Sequence, residues 1–290
     1  MKPPSFAYHR PGTVAEAVAA LAAAGEGGKV LAGGQSLVPI LNMRLASPSA
    51  LVDINGLASE LDWIEVADGR VRVGALTRHA QTERSAVAHG SLPLLRRATR
   101  QVAHATIRNR GTTVGSIVHA DPAAELPAVL LLCDGTMELA STSGQRTVAA
   151  ADFFVGPLES DLRTGELAVA ASFAIPPPRT GTAWLEVSRR AGDYALCGLG
   201  MAVTLAPDGT IDRARASYIS VGPTPVLVDL TEAVGGQAHD AADWVAAGVY
   251  ARERVQPDDD IHASAAYRGH LVEVLTQRAG ATAATDAWES

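Results

Sequence analysis

Apolar positions along the chain fall into blocks of differing rhythm. Between positions 14 and 24, Ala, Leu and Val recur with helical spacing behind Thr13 and Glu16, a capping-box pair; Gly25, Gly27 and Gly28 then stop the helix. Positions 29–32 read as a short buried strand, a brief helix follows, and 50–54 reads as a second strand. The alternation at 61–66 and 70–75 around Asp68-Gly69 predicts a hairpin. Thr77 is expected to cap a helix, 92–102 another helix, and 111–116 a long polar turn. The run at 123–133 is apolar enough for a buried helix despite Pro127, with short strands expected near 137–140 and 146–148.

Position 167 opens a strand that Pro176-Pro177-Pro178 ends, because proline cannot continue a ladder; this is the best linker candidate. Beyond it, strands near 183–189, 195–205 and 211–221, with a turn at Asp208-Gly209, precede helices near 240–252 and 262–278 and an Ala-rich tail at 279–284. Antiparallel strands followed by helices predict an α+β class. The expected division is a first α/β unit over 1–57, a second unit over 58–176 and a C-terminal α+β unit over 177–290.

Composition narrows the function. With 24 basic against 31 acidic residues the net charge is -7, which leaves no cationic surplus for nucleic acid. Two cysteines, Cys133 and Cys197, cannot hold an iron–sulfur cluster unaided and read as packing residues. Neither an apolar leader at the start nor a run of roughly 18 apolar residues is present, so a cytoplasmic location without a membrane span is expected.

Three segments carry candidate chemistry. Ala32-Gly33-Gly34-Gln35-Ser36-Leu37 follows a strand and opens a helix, so its N–H groups can approach an anion and Ser36 can add a hydroxyl; the competing reading is a bare turn. Arg110-Gly111-Thr112-Thr113-Val114-Gly115-Ser116 leads to His119-Ala120-Asp121-Pro122-Ala123-Ala124-Glu125, a second small-residue loop with a carboxylate one turn into a helix. The two loops can clamp a pyrophosphate and Glu125 can bond ribose hydroxyls; the alternative is a solvated loop capped by Asp121 or Thr112. In Arg189-Arg190-Ala191-Gly192-Asp193-Tyr194, a tyrosine beside a turn can lie on a conjugated ring, and a solvated arginine pair is the plainer reading. The eight histidines show no zinc-ligand spacing, no Gly-x-Ser-x-Gly elbow occurs, and His104 and His119 read as loop or core residues.

Taken in this order and spacing, these segments, with the opening Met1-Lys2-Pro3-Pro4-Ser5-Phe6 and Ile107-Arg108-Asn109-Arg110-Gly111-Thr112, resemble the FAD-binding medium subunit of molybdenum-containing hydroxylases, the xanthine dehydrogenase and carbon monoxide dehydrogenase family. The resemblance covers essentially the whole chain. It implies a two-subdomain FAD-binding fold of the PCMH type followed by a C-terminal α+β subdomain. It places FAD contacts at Ala32, Gly33, Gly34, Gln35, Ser36 and Leu37, at Thr112, Thr113, Val114, Gly115 and Ser116, and at Glu125, Leu162 and Tyr194. Val114 stands where the family has glycine, which is expected to alter that loop's backbone angles. Gln35, where the carbon monoxide branch tends to have histidine, points toward aromatic, N-heterocyclic or aldehyde substrates.

The implied role is electron transfer without a catalytic residue or metal on this chain. A large molybdopterin subunit hydroxylates the substrate, a small subunit with [2Fe–2S] clusters relays electrons, and FAD here passes them to an external acceptor. A heterotrimer, doubled to a dimer of trimers, is the expected assembly. Gly33→Val is expected to strip the flavin with little loss of fold. A self-contained flavoprotein oxidoreductase and a flavin-free scaffold are the alternatives.

Overall fold

A computed structural model of the chain describes residues 2–290; Met1, part of the opening hexapeptide, lies outside the described residues. The Val14–Ala24 helix starts where expected, with the Thr13 hydroxyl accepting the Glu16 N–H at 3.1 Å. The reciprocal arm is displaced by one residue: the Glu16 carboxylate accepts from the Gly12 N–H at 2.7 Å, not from Thr13. Gly25, at φ 60°, ends the helix. Strand Ala50–Asp53 then sits between Gly28–Leu31 and Ala7–His9, parallel to both. Ala7–His9 is a strand the sequence pattern does not announce, because all of its residues are exposed and none alternates with a buried neighbour.

A five-stranded antiparallel sheet follows, in the order Ile64–Ala67, Arg70–Gly74, Leu167–Ala174, Thr136–Ser141, Gly144–Ala149. Its first hairpin turns on Asp68 (φ 51°) and Gly69 (φ 69°), the two positive φ values a tight hairpin needs. Thr77 caps nothing. Its hydroxyl donates to the Trp63 carbonyl at 2.8 Å, and the helix begins at His79, with the Gln81 side chain accepting from the Arg78 N–H at 2.7 Å. The helix expected at 92–102 is Pro93–Thr99. The polar stretch 111–116 is not an open turn: Thr112 caps the helix Thr113–His119. Helix Glu125–Leu132 carries Pro127 within its first turn, where the missing N–H leaves no bond unmade.

The C-terminal sheet runs Thr180–Ser188, Ala195–Leu205, Ile211–Ile219, Val226–Asp229, all antiparallel. Helices Trp244–Arg252 and Ala265–Glu289 pack on it. The second helix swallows the Ala-rich tail, because Ala279, Ala283, Ala284 and Ala287 form its buried face. Small residues permit the close approach: a Cβ on Gly181 would collide with the Ala283 carbonyl and the Ala287 N–H.

Two hydrophobic clusters result. One joins the first two sheets through residues such as Leu21, Val52, Val71, Leu130 and Phe173; the other, around Tyr218, Trp244 and Leu275, belongs to the C-terminal layer. Charged ties cross between them. Arg97 donates to both Asp286 oxygens (2.9 and 2.8 Å) and to Thr182, and Arg215 donates to Asp134 (2.9 and 2.8 Å) and to the Leu132 carbonyl at 2.7 Å.

Candidate functional site

These three sheets and a small two-stranded one, Phe154–Gly156 with Glu159–Ser160, border a cleft of about 1620 Å³, large enough for a dinucleotide. Its wall is built first by the loop after strand Gly28–Leu31. Gly34 adopts φ +73°, which a side chain would strain, and the Gln35 amide folds back to donate to the Gly33 carbonyl at 3.2 Å. The backbone N–H groups of Gly33, Gly34, Gln35, Ser36 and Leu37 find no acceptor among the described residues. Successive unpaired N–H groups at a concave wall are the chemistry of an anion cradle. The following helix, Leu37–Asn42, has only 6 residues, so these local donors rather than a long helix dipole supply the field.

The second loop meets the first backbone to backbone. A Cβ on Gly33 would stand 2.5 Å from the Arg110 carbonyl oxygen and 2.8 Å from Gly111 Cα. Thr112 accepts the Gly115 N–H on its hydroxyl at 3.1 Å, leaving the Thr112 and Val114 N–H groups unpaired. Val114 does not disturb the loop. It lies inside a helix, outside the positive-φ residues, with its side chain only 2 % exposed in the core, so a glycine's freedom is not needed there.

Ala32, Gly33, Gly34, Gln35, Ser36 and Leu37, then Thr112, Val114, Gly115 and Ser116, then Glu125, Leu162 and Tyr194 all border the cleft. Thr113 does not. Its side chain is fully buried and shares a 2.8 Å hydrogen bond with Thr82, so it braces the helix start instead. Glu125, half-buried in the first turn of its helix, has its carboxyl pushed up to about 8 by burial and then by the Glu186 and Asp121 carboxylates. Tyr194 stands at the rim, 68 % exposed, and a side chain on Gly192 (φ +84°) just before it would be strained and would force the His104 ring aside.

Several cleft or cleft-supporting residues carry no signal in the sequence. His79 borders the cleft at 3 % exposure, and its Nδ1 has no partner; burial and then Arg108 push its pKa down to about 4, so the ring is neutral. It begins a helix in an ordinary Thr-Arg-His triplet. Arg163 and Arg268 also border the cleft, from loop and helix positions that composition alone marks as solvated. Both cysteines are buried, with thiols pushed up to about 12 by that burial. Among the described residues no helix is long and apolar enough to cross a membrane, and no cluster of three or more His, Cys, Asp or Glu could hold a metal ion.

Comparison with known proteins supplies the context. Residues 4–178 match the family described as FAD binding domain in molybdopterin dehydrogenase, and residues 182–283 match the CO dehydrogenase flavoprotein C-terminal domain. The chain is 39% identical over 282 residues to the 6-hydroxypseudooxynicotine dehydrogenase complex subunit alpha of Paenarthrobacter nicotinovorans, covering 96% of this chain and 94% of that one. A solved carbon monoxide dehydrogenase from Hydrogenophaga pseudoflava superposes with a TM-score of 0.92 at 33% identity, over 100% of this chain and 99% of that one. Quinoline 2-oxidoreductase from Pseudomonas putida 86 does so with a TM-score of 0.92 at 34% identity, over 99% of each chain.

Proposed function

Because the chain belongs to the FAD-binding medium subunits of molybdenum-containing hydroxylases, an oxidoreductase family, we propose that its cleft seats the FAD and that the subunit relays electrons within a larger complex. The observation that carries the reading is the row of unpaired N–H groups from Gly33 to Leu37, facing a cleft of dinucleotide size. In it, residues 32–37 and Thr112, Val114, Gly115 and Ser116 hold the pyrophosphate from two sides. Glu125 takes the ribose, Leu162 lines the cleft with an apolar side chain and Tyr194 covers the ring at the rim. Thr113 serves from behind, through Thr82.

Held there, FAD would supply single-electron uptake from [2Fe–2S] clusters of a small partner subunit and paired release to an external acceptor. This chain's own residues bind, orient and shield; none is needed as an acid or base. The substrate is oxidised on a large molybdopterin subunit, and Gln35, with relatives named for a nicotine derivative and for quinoline, favours an N-heterocyclic class. Val38 (42 %), Met43 (51 %) and Leu45 (73 %) form an exposed apolar run beside the first loop, which suits a persistent partner contact. A dimer of heterotrimers in the cytoplasm, with this chain itself divided into units 1–57, 58–176 and 177–290, completes the proposal.

Co-expression with the small and large subunits, followed by size-exclusion chromatography, flavin assay and metal analysis, tests it. A complex holding FAD, iron and molybdenum is expected. A chain that ignores those subunits and bleaches its own flavin with a small substrate would instead be a self-contained oxidoreductase.

A further inference from the structure

The two loops are tied from behind by a pair of side chains that the cleft never touches. Strand Ala50–Asp53 runs into a short 3-10 turn, where Asp53 accepts from the Asn55 N–H at 2.9 Å and from its Nδ2 at 2.6 Å. The Tyr8 hydroxyl donates to the other Asp53 oxygen at 2.5 Å. So held, Asn55 Nδ2 also donates to the Ala32 carbonyl at 2.9 Å. Its Oδ1 accepts from Arg78 Nη2 at 2.7 Å, and Arg78 Nη1 donates to the Arg110 carbonyl at 2.5 Å. The Asn55 amide has one workable orientation, because the flipped one would turn its NH₂ against the guanidinium. Arg78 is itself fixed, by the Gln81 side chain on its N–H and by bridge pairing with Thr112.

The peptide units involved matter. The Ala32 carbonyl shares a planar trans peptide with the Gly33 N–H, so a donor on that carbonyl aims the N–H the opposite way, where it has no acceptor among the described residues. The Arg110 carbonyl is the atom against which Gly33 packs. One guanidinium and one amide therefore set both the angle of the first cradle donor and the distance between the loops. Neither Asn55 nor Arg78 lines the cleft.

We propose that Asn55 and Arg78 are positioning residues for FAD, a clasp that holds the two pyrophosphate loops at binding distance without touching the cofactor. The inference rests on the FAD reading of the cleft. A clasp acts as a unit, so breaking it at either end has nearly the full effect.

The test uses the full chain stripped of flavin, titrated with FAD, with melting temperatures taken with and without saturating FAD. Asn55→Ala and Arg78→Ala are each expected to weaken FAD about tenfold, and the double variant no more than about threefold beyond the weaker single one. The rise in melting temperature that FAD produces should shrink in all three, since ligand stabilisation follows the affinity. If Arg78→Ala does not fold, Arg78→Lys serves: a single ammonium replaces the two-pronged fork, and at least threefold weakening is expected. Equal losses of melting temperature with and without FAD, or single effects that multiply in the double variant, would overturn the clasp. A wild-type chain that takes up no FAD would instead remove the reading of the cleft itself.

Discussion

Gly33 and Arg110 touch backbone to backbone: a Cβ on the glycine would sit 2.5 Å from the arginine's carbonyl oxygen. The glycine is therefore required by the neighbouring loop even before any ligand arrives. Gly33→Val should lose FAD and also destabilise the flavin-free chain by about 1–3 kcal/mol, the usual range for forcing atoms into a packed site. The expectation of an unharmed fold does not survive this contact. Denaturant unfolding of the flavin-free variant, with flavin content per chain, measures both; wild-type stability in Gly33→Ala would show that the loops yield freely.

Glu125 makes the flavin-free chain sensitive to pH. Its folded pKa, about 8, lies above the ordinary 4.5, so the protonated carboxyl favours the fold. That contribution is complete below about pH 4.5 and is lost as pH rises through about 8. Glu125→Gln, neutral throughout, should match wild type near the lower limit. At pH 9 it should exceed wild type by about 2 kcal/mol, a figure reduced from the full linkage value because the carboxyl borders the open cleft. Parallel stability curves for the two proteins across that range would disprove it.

The flavin should be held without a covalent bond. Neither loop contains a cysteine or a histidine, and the unpaired groups facing the cleft there are N–H donors, suited to anions rather than to attack. Acid precipitation should leave the yellow colour in the supernatant; a yellow pellet would contradict this.

Asp286 joins the C-terminal helix to the rest of the molecule. Burial alone would raise its pKa, but the Arg97 guanidinium and the Thr182 N–H outweigh that and hold it below the carboxylate range. The tie is complete at neutral pH and is lost as pH falls through the acid range. Asp286→Ala should cost about 1–2 kcal/mol at pH 7, discounted for partial exposure, and less at pH 3. A pH-independent difference would assign the loss to helix packing.

Much of this architecture was legible where local chemistry decides it. Thr13 with Glu16, the turns at Asp68-Gly69 and Asp208-Gly209, and the apolar run ahead of Cys133 each announce their element through caps, turn angles or burial. The first loop was legible for the same reason, since a glycine pair after a strand restricts what the chain can do. Elements decided by distant contacts were not. Ala7–His9 and Val226–Asp229 are strands because a neighbour offers an edge, and Thr77 directs its hydroxyl to the Trp63 carbonyl instead of capping the helix. Thr113 turns inward to meet Thr82. Asn55 and Arg78 are ordinary polar residues 23 positions apart, and only the folded chain makes them neighbours.

The cleft borrows its walls from Leu21 at one end of the chain and Arg268 at the other. Such a container does not exist until synthesis has passed Arg268. At a synthesis rate of about 5–20 residues per second, that is a wait of roughly 12–46 seconds between the first loop and Arg268, during which the early loop has no opposite wall. Whatever fills the cleft therefore meets its complete set of walls only once residue 268 has joined the fold.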